Sequence, residues 1–410
     1  MILLVHPFGN ANVRAVLTAL DRADRLGKFL TTLGWSNSSP ILEAVPENLR
    51  GEMTRRGYDL PHYKIKTYPA REIVRLLAAK FGLHFLTKHE TGWASIDRVW
   101  TRLDKIAAGY LRENQERLKI QGVYAYEDCA ISLFENAREL GLERVYDLPI
   151  AYWQTAQRLL REEAQRYPEW EPTLGATRDS EEKLARKTRE LDLAEIVVCP
   201  STFVLDSLPE QARLSKKCIV APFGSPVVGD VGSDQSKWTG RPLRFLFAGA
   251  LSQRKGLADL FAAMKLVKRS DAELVVMGSP ILPMQFYRNQ FAHFIYEPPR
   301  AHAAVLRLMR SCDVLVLPSI VEGRALVQQE AMACGLPLIV TRNAGGEDLI
   351  IKGETGFLVH AGSPAAIAEK IEWFLENRDK LPGMSVAARA KAAELSWRAY
   401  GERILHAIGD

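Results

Sequence analysis

The chain of 410 residues is 47% hydrophobic and 25% charged, a balance that excludes a disordered, collagen-like or repeat-only protein and predicts two domains. Its formal charge of +5 is too mild to specify nucleic acid as a partner. Five cysteines, at 129, 199, 218, 312 and 334, form no Cys-x-x-Cys pair and are odd in number, which predicts reduced thiols and a cytoplasmic setting.

The apolar run Ile2–Val5 has no basic leader and reads as a buried first strand rather than a signal segment. No apolar stretch approaches the roughly 18 residues of a membrane span. Pro7–Asn12 reads as a loop and Val13–Leu26 as a helix, a strand–loop–helix unit. Weaker units follow, with strands at Gly122–Tyr126 and Glu195–Cys199 before helices at Cys129–Leu140 and Ser201–Leu208. Further helices are expected at 70–88, 93–118, 152–166 and 180–192. Pro222–Pro242, rich in Gly and Pro, reads as an interdomain linker.

Beyond it the alternation is regular. Strands are expected at Leu243–Ala248, Glu273–Met277, His293–Tyr296, Val314–Leu317, Leu336–Val340 and Gly356–His360, with helices at 256–268, 301–310 and 325–334 between them. Strands alternating with helices imply a parallel, doubly wound sheet. Long helices are expected at 364–378 and 385–407, and Ser396–Tyr400 in the last could bridge back to the first domain.

Two segments carry chemistry. Phe247-Ala248-Gly249-Ala250-Leu251-Ser252-Gln253-Arg254-Lys255-Gly256 closes a strand and opens a helix. A helix start presents unpaired N–H groups and partial positive charge, Gly249 permits a tight turn, and Arg254 and Lys255 add full charges, so the segment suits a diphosphate. The alternative is an ordinary turn with two solvated cations. The segment is neither G-x-G-x-x-G nor a P-loop.

In the second segment, Glu322 precedes a helix and Glu330 lies on it, eight residues away and about two turns on. Glu330 interrupts an apolar face, where a carboxylate is costly unless hydrogen-bonded, and sugar hydroxyls are suitable donors. The backbone of Gly323-Arg324-Ala325 would present N–H groups at the helix start. The alternative is a solvated helix with incidental acids. No Asp-x-Asp occurs, and the histidines show no His-x-x-x-His spacing, so no metal site is expected.

Gly249…Arg254-Lys255-Gly256 together with Glu322-x₇-Glu330-Ala331-Met332-Ala333-x-Gly335 resembles the retaining glycosyltransferases of family 4, and Asp348 and Thr355–Val359 extend the match. The resemblance covers residues 240–362 well and the first half only loosely. It implies an α/β GT-B fold: two Rossmann-like domains facing a cleft, with a C-terminal helix crossing back to the first. The first domain would be an acceptor-binding unit over 1–222 plus the helix at 385–410, and the second a donor-binding unit over 240–384.

The resemblance also implies roles. Arg254 and Lys255 would bind the diphosphate of a UDP- or GDP-sugar and stabilise charge on the leaving nucleotide. Glu322, with the backbone from Gly323 through Arg324 and Ala325 to Leu326, would hold the transferred sugar. Glu330 would take the ribose hydroxyls. Gly249 would sit at the phosphates, and Gly278 and Tyr296–Arg300 would contact the base. Where the family often has Gly-Arg, this chain has Gly249-Ala250, so one phosphate cation is missing. The family often keeps a histidine or acid facing the reacting sugar near Tyr124–Asp128, where Asp128 or Glu127 is the candidate and helix capping by Asp128 the alternative.

The loop Gly9-Asn10-Ala11-Asn12 could touch the donor phosphate or the acceptor, or Asn10 or Asn12 could merely cap a helix. His6 is expected to be structural. The implied reaction is transfer of a sugar from a nucleotide-sugar to a saccharide, glycolipid or other hydroxyl acceptor, with retention, in cell-surface polysaccharide or glycolipid synthesis, without a metal or other cofactor. A GT-B epimerase or phosphorylase and a non-catalytic nucleotide-binding subunit are the alternatives.

The positive charge is uneven. Residues 50–119 hold 15 Lys and Arg against 8 Asp and Glu, a surplus of +7, so the rest of the chain is at −2. Arg71–Lys88 mixes apolar residues with four cations. Its apolar side is expected to pack on the core, with peripheral contact to an anionic membrane as the alternative.

Overall fold

The computed structural model describes residues 1–38, 56–226, 238 and 240–409. In chain order the first part contains β1 (Ile2–Val5), α1 (Ala11–Arg22), β2 (Leu26–Thr31), β3 (Trp35–Ser36), β4 (Gly57–Tyr58), β5 (Ile65–Thr67), α2 (Ala70–Lys80), α3 (Ile96–Asn114), β6 (Gly122–Tyr126), α4 (Ile131–Glu139), β7 (Glu143–Asp147), α5 (Trp153–Arg166), α6 (Glu181–Leu193), β8 (Ile196–Cys199), α7 (Thr202–Ser207), α8 (Glu210–Ser215) and β9 (Lys217–Val220). The second contains β10 (Leu243–Ala248), α9 (Leu257–Val267), β11 (Ala272–Met277), α10 (Met284–Gln290), β12 (Ile295–Glu297), α11 (His302–Arg310), β13 (Val314–Leu317), α12 (Leu326–Ala333), β14 (Leu338–Thr341), β15 (Gly356–Val359), α13 (Pro364–Glu376), α14 (Leu381–Ala393) and α15 (Trp397–Gly409).

Two parallel sheets result. The first has seven strands in the order β5-β2-β1-β6-β7-β8-β9, and the second six in the order β12-β11-β10-β13-β14-β15. Their central strands are apolar on both faces because helices cover both sides: Ile2–Val5 and Val314–Leu317 are buried throughout. In the first sheet Leu4 sits between Phe29 and Tyr124, and in the second Phe247 pairs with Val276.

The sheets meet at the carboxyl ends of their strands, where open α/β sheets bind ligands. There Ser201 donates to the Gly323 carbonyl at 2.6 Å and the Ala151 N–H to the Glu322 carbonyl at 3.4 Å. A side chain at Gly323 would meet the Pro149 carbonyl oxygen at 1.7 Å, so glycine permits this crossing of two backbones.

Two segments tie the halves together. Trp170, which follows α5, is buried in the core of the second sheet against Phe286, Tyr287 and Phe261. Full burial of such a ring contributes about 3 kcal/mol. At the other end, α15 lies along α1, and its Trp397 and Tyr400 pack on Phe223. The chain thus crosses back to the first sheet.

Several sequence expectations need correction. The helix expected over 385–407 is two helices, broken where Ser396 caps α15 by accepting from the Ala399 N–H. The helix expected over 70–88 ends at Lys80, because Gly82 takes φ +68°, and a short 3₁₀ turn follows at His84–Thr87. α1 stops at Arg22, and Leu26, assigned to it by periodicity, begins β2. Strands β2, β5, β7 and β9 and helix α10 were not expected. The proposed linker is described at 222–226, 238 and 240–242, and the rest of it lies outside the described residues.

The apolar side of α2 does not pack on the core. Ile73, Leu76 and Leu77 are exposed, while Glu72 is buried.

Candidate active site

At the carboxyl end of β10, Gly249 adopts φ +154° and Gly256 φ +77°. A side chain on Gly256 would strike the Pro318 carbonyl oxygen at 2.1 Å, so the turn between them requires glycine there. The turn is pinned by Gln253, whose N–H donates to Thr173 at 3.1 Å and whose amide donates to Glu163 at 2.6 Å and Asp259 at 2.8 Å. Arg254 and Lys255 are thereby aimed across to the loop after β13.

Both cations converge on one acid. Lys255 lies 2.5 Å and Arg254 2.6 Å from the same Glu322 carboxylate oxygen. Burial pushes the Glu322 carboxyl up, but Arg254 and Lys255 outweigh it and hold the group below the usual carboxylate range. Burial lowers the Lys255 ammonium, with Arg254 adding to the effect and Glu322 opposing it. Two cations against one carboxylate leave this point with a net positive charge.

Beside it lies an open pocket of about 460 Å³ whose walls include Gly249, Lys255, Arg300, His302, Leu326 and Glu330. Leu326 and Val327 belong to the first turn of α12, whose N–H groups have no partner within the helix and point toward its start. Glu330 is one-fifth exposed and lies 3.0 Å from His302 Nε2. The pocket therefore joins a cation, a helix N-terminus and a carboxylate, a set suited to a phosphate at one end and hydroxyl donors at the other.

The structure brings together Gly249, Lys255, Ala325, Leu326 and Glu330 in this pocket, with Arg254 and Glu322 adjoining through Lys255. Gly278 packs its backbone so closely on Gly249 that a side chain would meet the Gly249 carbonyl oxygen at 1.8 Å, and the Tyr296 hydroxyl donates to the Gly278 carbonyl at 3.1 Å. His302, Val305 and Met277 line the pocket without having been singled out from the sequence. No motif marks them, although His302 lies next to the Tyr296–Arg300 stretch.

Other candidates are placed elsewhere. The Arg324 guanidinium is buried and engaged within the protein: it donates to Asp348 at 2.7 and 3.1 Å, to the Gly345 carbonyl at 3.0 Å and to Gln329 at 3.1 Å. The Ala325 N–H donates to the Ala344 carbonyl at 3.2 Å, so it is not available to a ligand as expected. The Gly323 carbonyl is held by Ser201.

Asp128 and Glu127 are turned onto α6 instead of this pocket. Asp128 lies 2.9 Å from Arg186 and 3.5 Å from Lys187, which is 3.3 Å from Glu127. Burial pushes Asp128 up, but Lys187, Lys183 and Arg186 reverse this and hold it low, while burial keeps Glu127 high. Asp128 has φ +67° and caps no helix with its side chain: the Ser132 and Leu133 N–H groups in the first turn of α4 donate to Asp104 at 2.8 and 2.9 Å, and Glu190 accepts from the N–H groups of Asp128 and Ala130.

In the first loop, Gly9 lies against the Tyr58 hydroxyl, and its carbonyl accepts from Arg14. Asn10 stands at the start of α1 without a side-chain capping bond, and Asn12 is buried beside Tyr400. His6 is buried, and its Nδ1 accepts from the Phe8 N–H at 3.0 Å.

Among the described residues, His89, Glu90 and Asp179 offer ligand atoms within 4.8 Å of one another, a grouping that sequence spacing did not show. Lys183 already pairs with Asp179 at 2.9 Å, and none of the three lines the pocket.

Two Rossmann-like domains, each built on a parallel sheet, define the GT-B architecture. Solved structures share it across nearly the whole chain. Sucrose-phosphate synthase from Thermosynechococcus elongatus aligns with a TM-score of 0.66 at 17% identity, over 99% of this chain and 97% of that one. Anabaena HepE in complex with UDP aligns at 0.63 and 17% identity, over 100% and 99%.

Residues 232–391 match the family model of the glycosyl transferases group 1, and the chain resembles the GT-B glycosyltransferases. It is 27% identical over 258 residues to a D-inositol 3-phosphate glycosyltransferase of Corynebacterium diphtheriae, covering 57% of this chain and 60% of that protein. It is 35% identical over 102 residues to the protein of that name from Streptomyces coelicolor, covering 25% and 22%. The alignments thus span less than two thirds of these relatives' lengths.

Proposed function

We propose that the protein is a glycosyltransferase that moves a sugar from a nucleotide-diphosphate donor, UDP- or GDP-linked, to a hydroxyl acceptor with retention, in cell-surface polysaccharide or glycolipid synthesis. The observation that carries this reading is the pocket in which Lys255, the start of α12 and Glu330 are combined, with Arg254 and Glu322 joined to Lys255. HepE, which shares the fold, has been solved with UDP and glucose, and this supports a UDP-sugar as the donor.

The second domain would bind the donor and the first the acceptor. Breaking the bond between the sugar and the nucleoside diphosphate develops negative charge on the β-phosphate. Lys255, Arg254 and the α12 N-terminus stand fixed where they can stabilise it, so the reading needs no metal. Glu330 would accept hydrogen bonds from the ribose hydroxyls, sharing its carboxylate with His302. Glu322 would orient the sugar while keeping both cations in place. The five cysteines, four of them buried, fit a reducing cytoplasmic setting, and no helix among the described residues is long and apolar enough to cross a membrane.

The test is a panel of UDP- and GDP-sugars, read first by thermal shift and then by slow release of nucleoside diphosphate. One donor is expected to raise the melting temperature and to be hydrolysed, and Lys255→Ala and Glu330→Gln to lose both effects. If no donor binds, or if both variants match the wild type, the reading fails. Binding without release in any acceptor mixture would point to a non-catalytic nucleotide-binding subunit.

A further inference from the structure

Helix α2 is anchored by its charged side and presents its apolar side to solvent. Ile73, Leu76, Leu77 and Phe81 follow the spacing of one helical stripe, the pattern that ordinarily faces a core. Yet Leu77 is 48% and Phe81 68% exposed, whereas Glu72 is 0% exposed. Glu72 is held by Arg75 of the same helix at 2.7 and 2.8 Å and by Arg56 from outside it at 3.0 Å, so its burial is compensated, and rolling the helix over would break the Arg56 pair.

The exposed apolar surface continues past the helix to Phe85, 70% exposed, and to Trp93 and Ile96. Nine of the seventeen exposed large hydrophobic side chains among the described residues lie between 63 and 96. That concentration exceeds what scattered surface residues produce and marks an interaction site.

The charge beside this surface says what covers it. Between 63 and 98 the sequence holds seven Lys and Arg against three Asp and Glu, and one of the three is the buried Glu72. Arg71 stacks on Trp93 at 5.0 Å and donates to the Arg98 carbonyl at 2.9 Å. Arg71 and Arg102 line a cavity of about 300 Å³ with Tyr68, and no carboxylate is among its walls. Burial together with the neighbouring Arg102 and Arg98 depresses the Arg71 pKa, as expected of cations crowded without an anion.

We propose that this face docks on a bilayer of anionic phospholipid. Phe81, Phe85 and Trp93 enter the boundary between headgroups and acyl chains, and Arg71, Arg98 and Arg102 meet the lipid phosphates. A second copy of the chain fits less well, because pairing the face with itself sets arginines against arginines. Arg75, on the anchored side of α2, lies over the ring of Phe8 at 5.7 Å, in the loop that follows β1, so the helix is seated beside the carboxyl edge of the first sheet. On the proposed function, a lipid-borne acceptor would meet the cleft there.

The experiment is co-sedimentation of the full chain with phosphatidylglycerol-containing vesicles and with phosphatidylcholine vesicles, at low and high salt. No donor or acceptor is present, so the outcome is independent of transferase activity. The wild type is expected to pellet with the anionic vesicles at low salt and not with the zwitterionic ones. Phe81→Ser combined with Phe85→Ser should weaken binding by about tenfold or more. Arg102→Ala should weaken it by about fivefold. Circular dichroism should be unchanged, since these side chains hold no core contact. The proposal is overturned if the wild type does not pellet with anionic vesicles at low salt, or if the double phenylalanine variant still does. A wild-type dimer in light scattering that the double variant abolishes, without vesicle binding, would assign the face to a second copy and likewise overturn it.

Discussion

Lys255 Nζ and the Glu322 carboxylate lie 2.5 Å apart although 67 positions separate them in the chain. The turn after β10 and the loop after β13 are brought together only because these strands are neighbours in the second sheet. Arg254 completes the cluster, so deleting Lys255 still leaves Glu322 a partner. Lys255→Ala is therefore expected to fold with an unchanged circular dichroism spectrum while donor turnover falls about 100-fold or more. Steady-state release of nucleoside diphosphate measures this. A variant that unfolds, or one that turns over normally, would show that Lys255 serves the fold or nothing at all.

Arg324 should behave in the opposite way. Its buried guanidinium joins Asp348, Gly345 and Gln329, so Arg324→Ala leaves Gln329 and a carbonyl oxygen without their donor. A loss of about 3 kcal/mol of stability is expected. Arg324→Lys should recover little of it, because an ammonium cannot reproduce the planar fork. Urea unfolding of the two variants reads the effect, and wild-type stability in Arg324→Ala would contradict it.

Contact between the two sheets can be probed at Gly323. An added methyl group would overlap the Pro149 carbonyl, so Gly323→Ala should force the 322–323 loop away from the 149–151 loop. Each sheet keeps its own core. Small-angle scattering should show a larger radius of gyration, and kcat/KM should fall about 100-fold, the usual scale for ångström misplacement. Ser201→Ala removes one hydrogen bond at the same junction and should cost less. An unchanged kcat/KM for Gly323→Ala would refute this account.

Two buried groups set opposing pH trends. Burial pushes the Asp147 carboxyl up from 3.8 to about 7, against the hydrogen bond from Tyr124. The folded state keeps this proton where the unfolded chain has lost it, so stability falls as pH rises from about 4 to about 7. Burial pushes the His6 imidazole down from 6.5 to about 3, against the Phe8 N–H bond. There the unfolded chain holds the proton, and stability falls as pH drops from about 6.5 toward 3.

Urea unfolding at several pH values separates the two. The two windows overlap between about pH 4 and 6.5, where the trends offset in the wild type, so Asp147→Asn should leave stability falling toward acid there and His6→Asn should leave it falling toward neutral pH. Parallel wild-type profiles in both variants would refute these assignments.

Strands β1, β10 and β13 were legible because each is an apolar run covered on both faces. β7, Glu143-Arg144-Val145-Tyr146-Asp147, was not, because its charges are satisfied from elsewhere in the chain. Arg144 donates to the Leu142 and Leu193 carbonyls and pairs with Glu195 at 2.7 Å. The break before α15 had a local signal in Ser396, which a long apolar periodicity concealed.

At the site, glycine spacing, the paired cations and the interval between Glu322 and Glu330 were readable from the chain alone. These features belong to single turns and helices, whose geometry is local. Which way Arg324 and Asp128 point was decided by partners from other elements, Asp348 for the one and Arg186 with Lys187 for the other. The surplus of positive charge between 50 and 119 was likewise visible in the composition. That α2 would bury Glu72 and expose its leucines was not, because the Arg56 that pairs with Glu72 comes from outside the helix. Periodicity records how a segment is patterned, and only the packed neighbours determine which side of the pattern is covered.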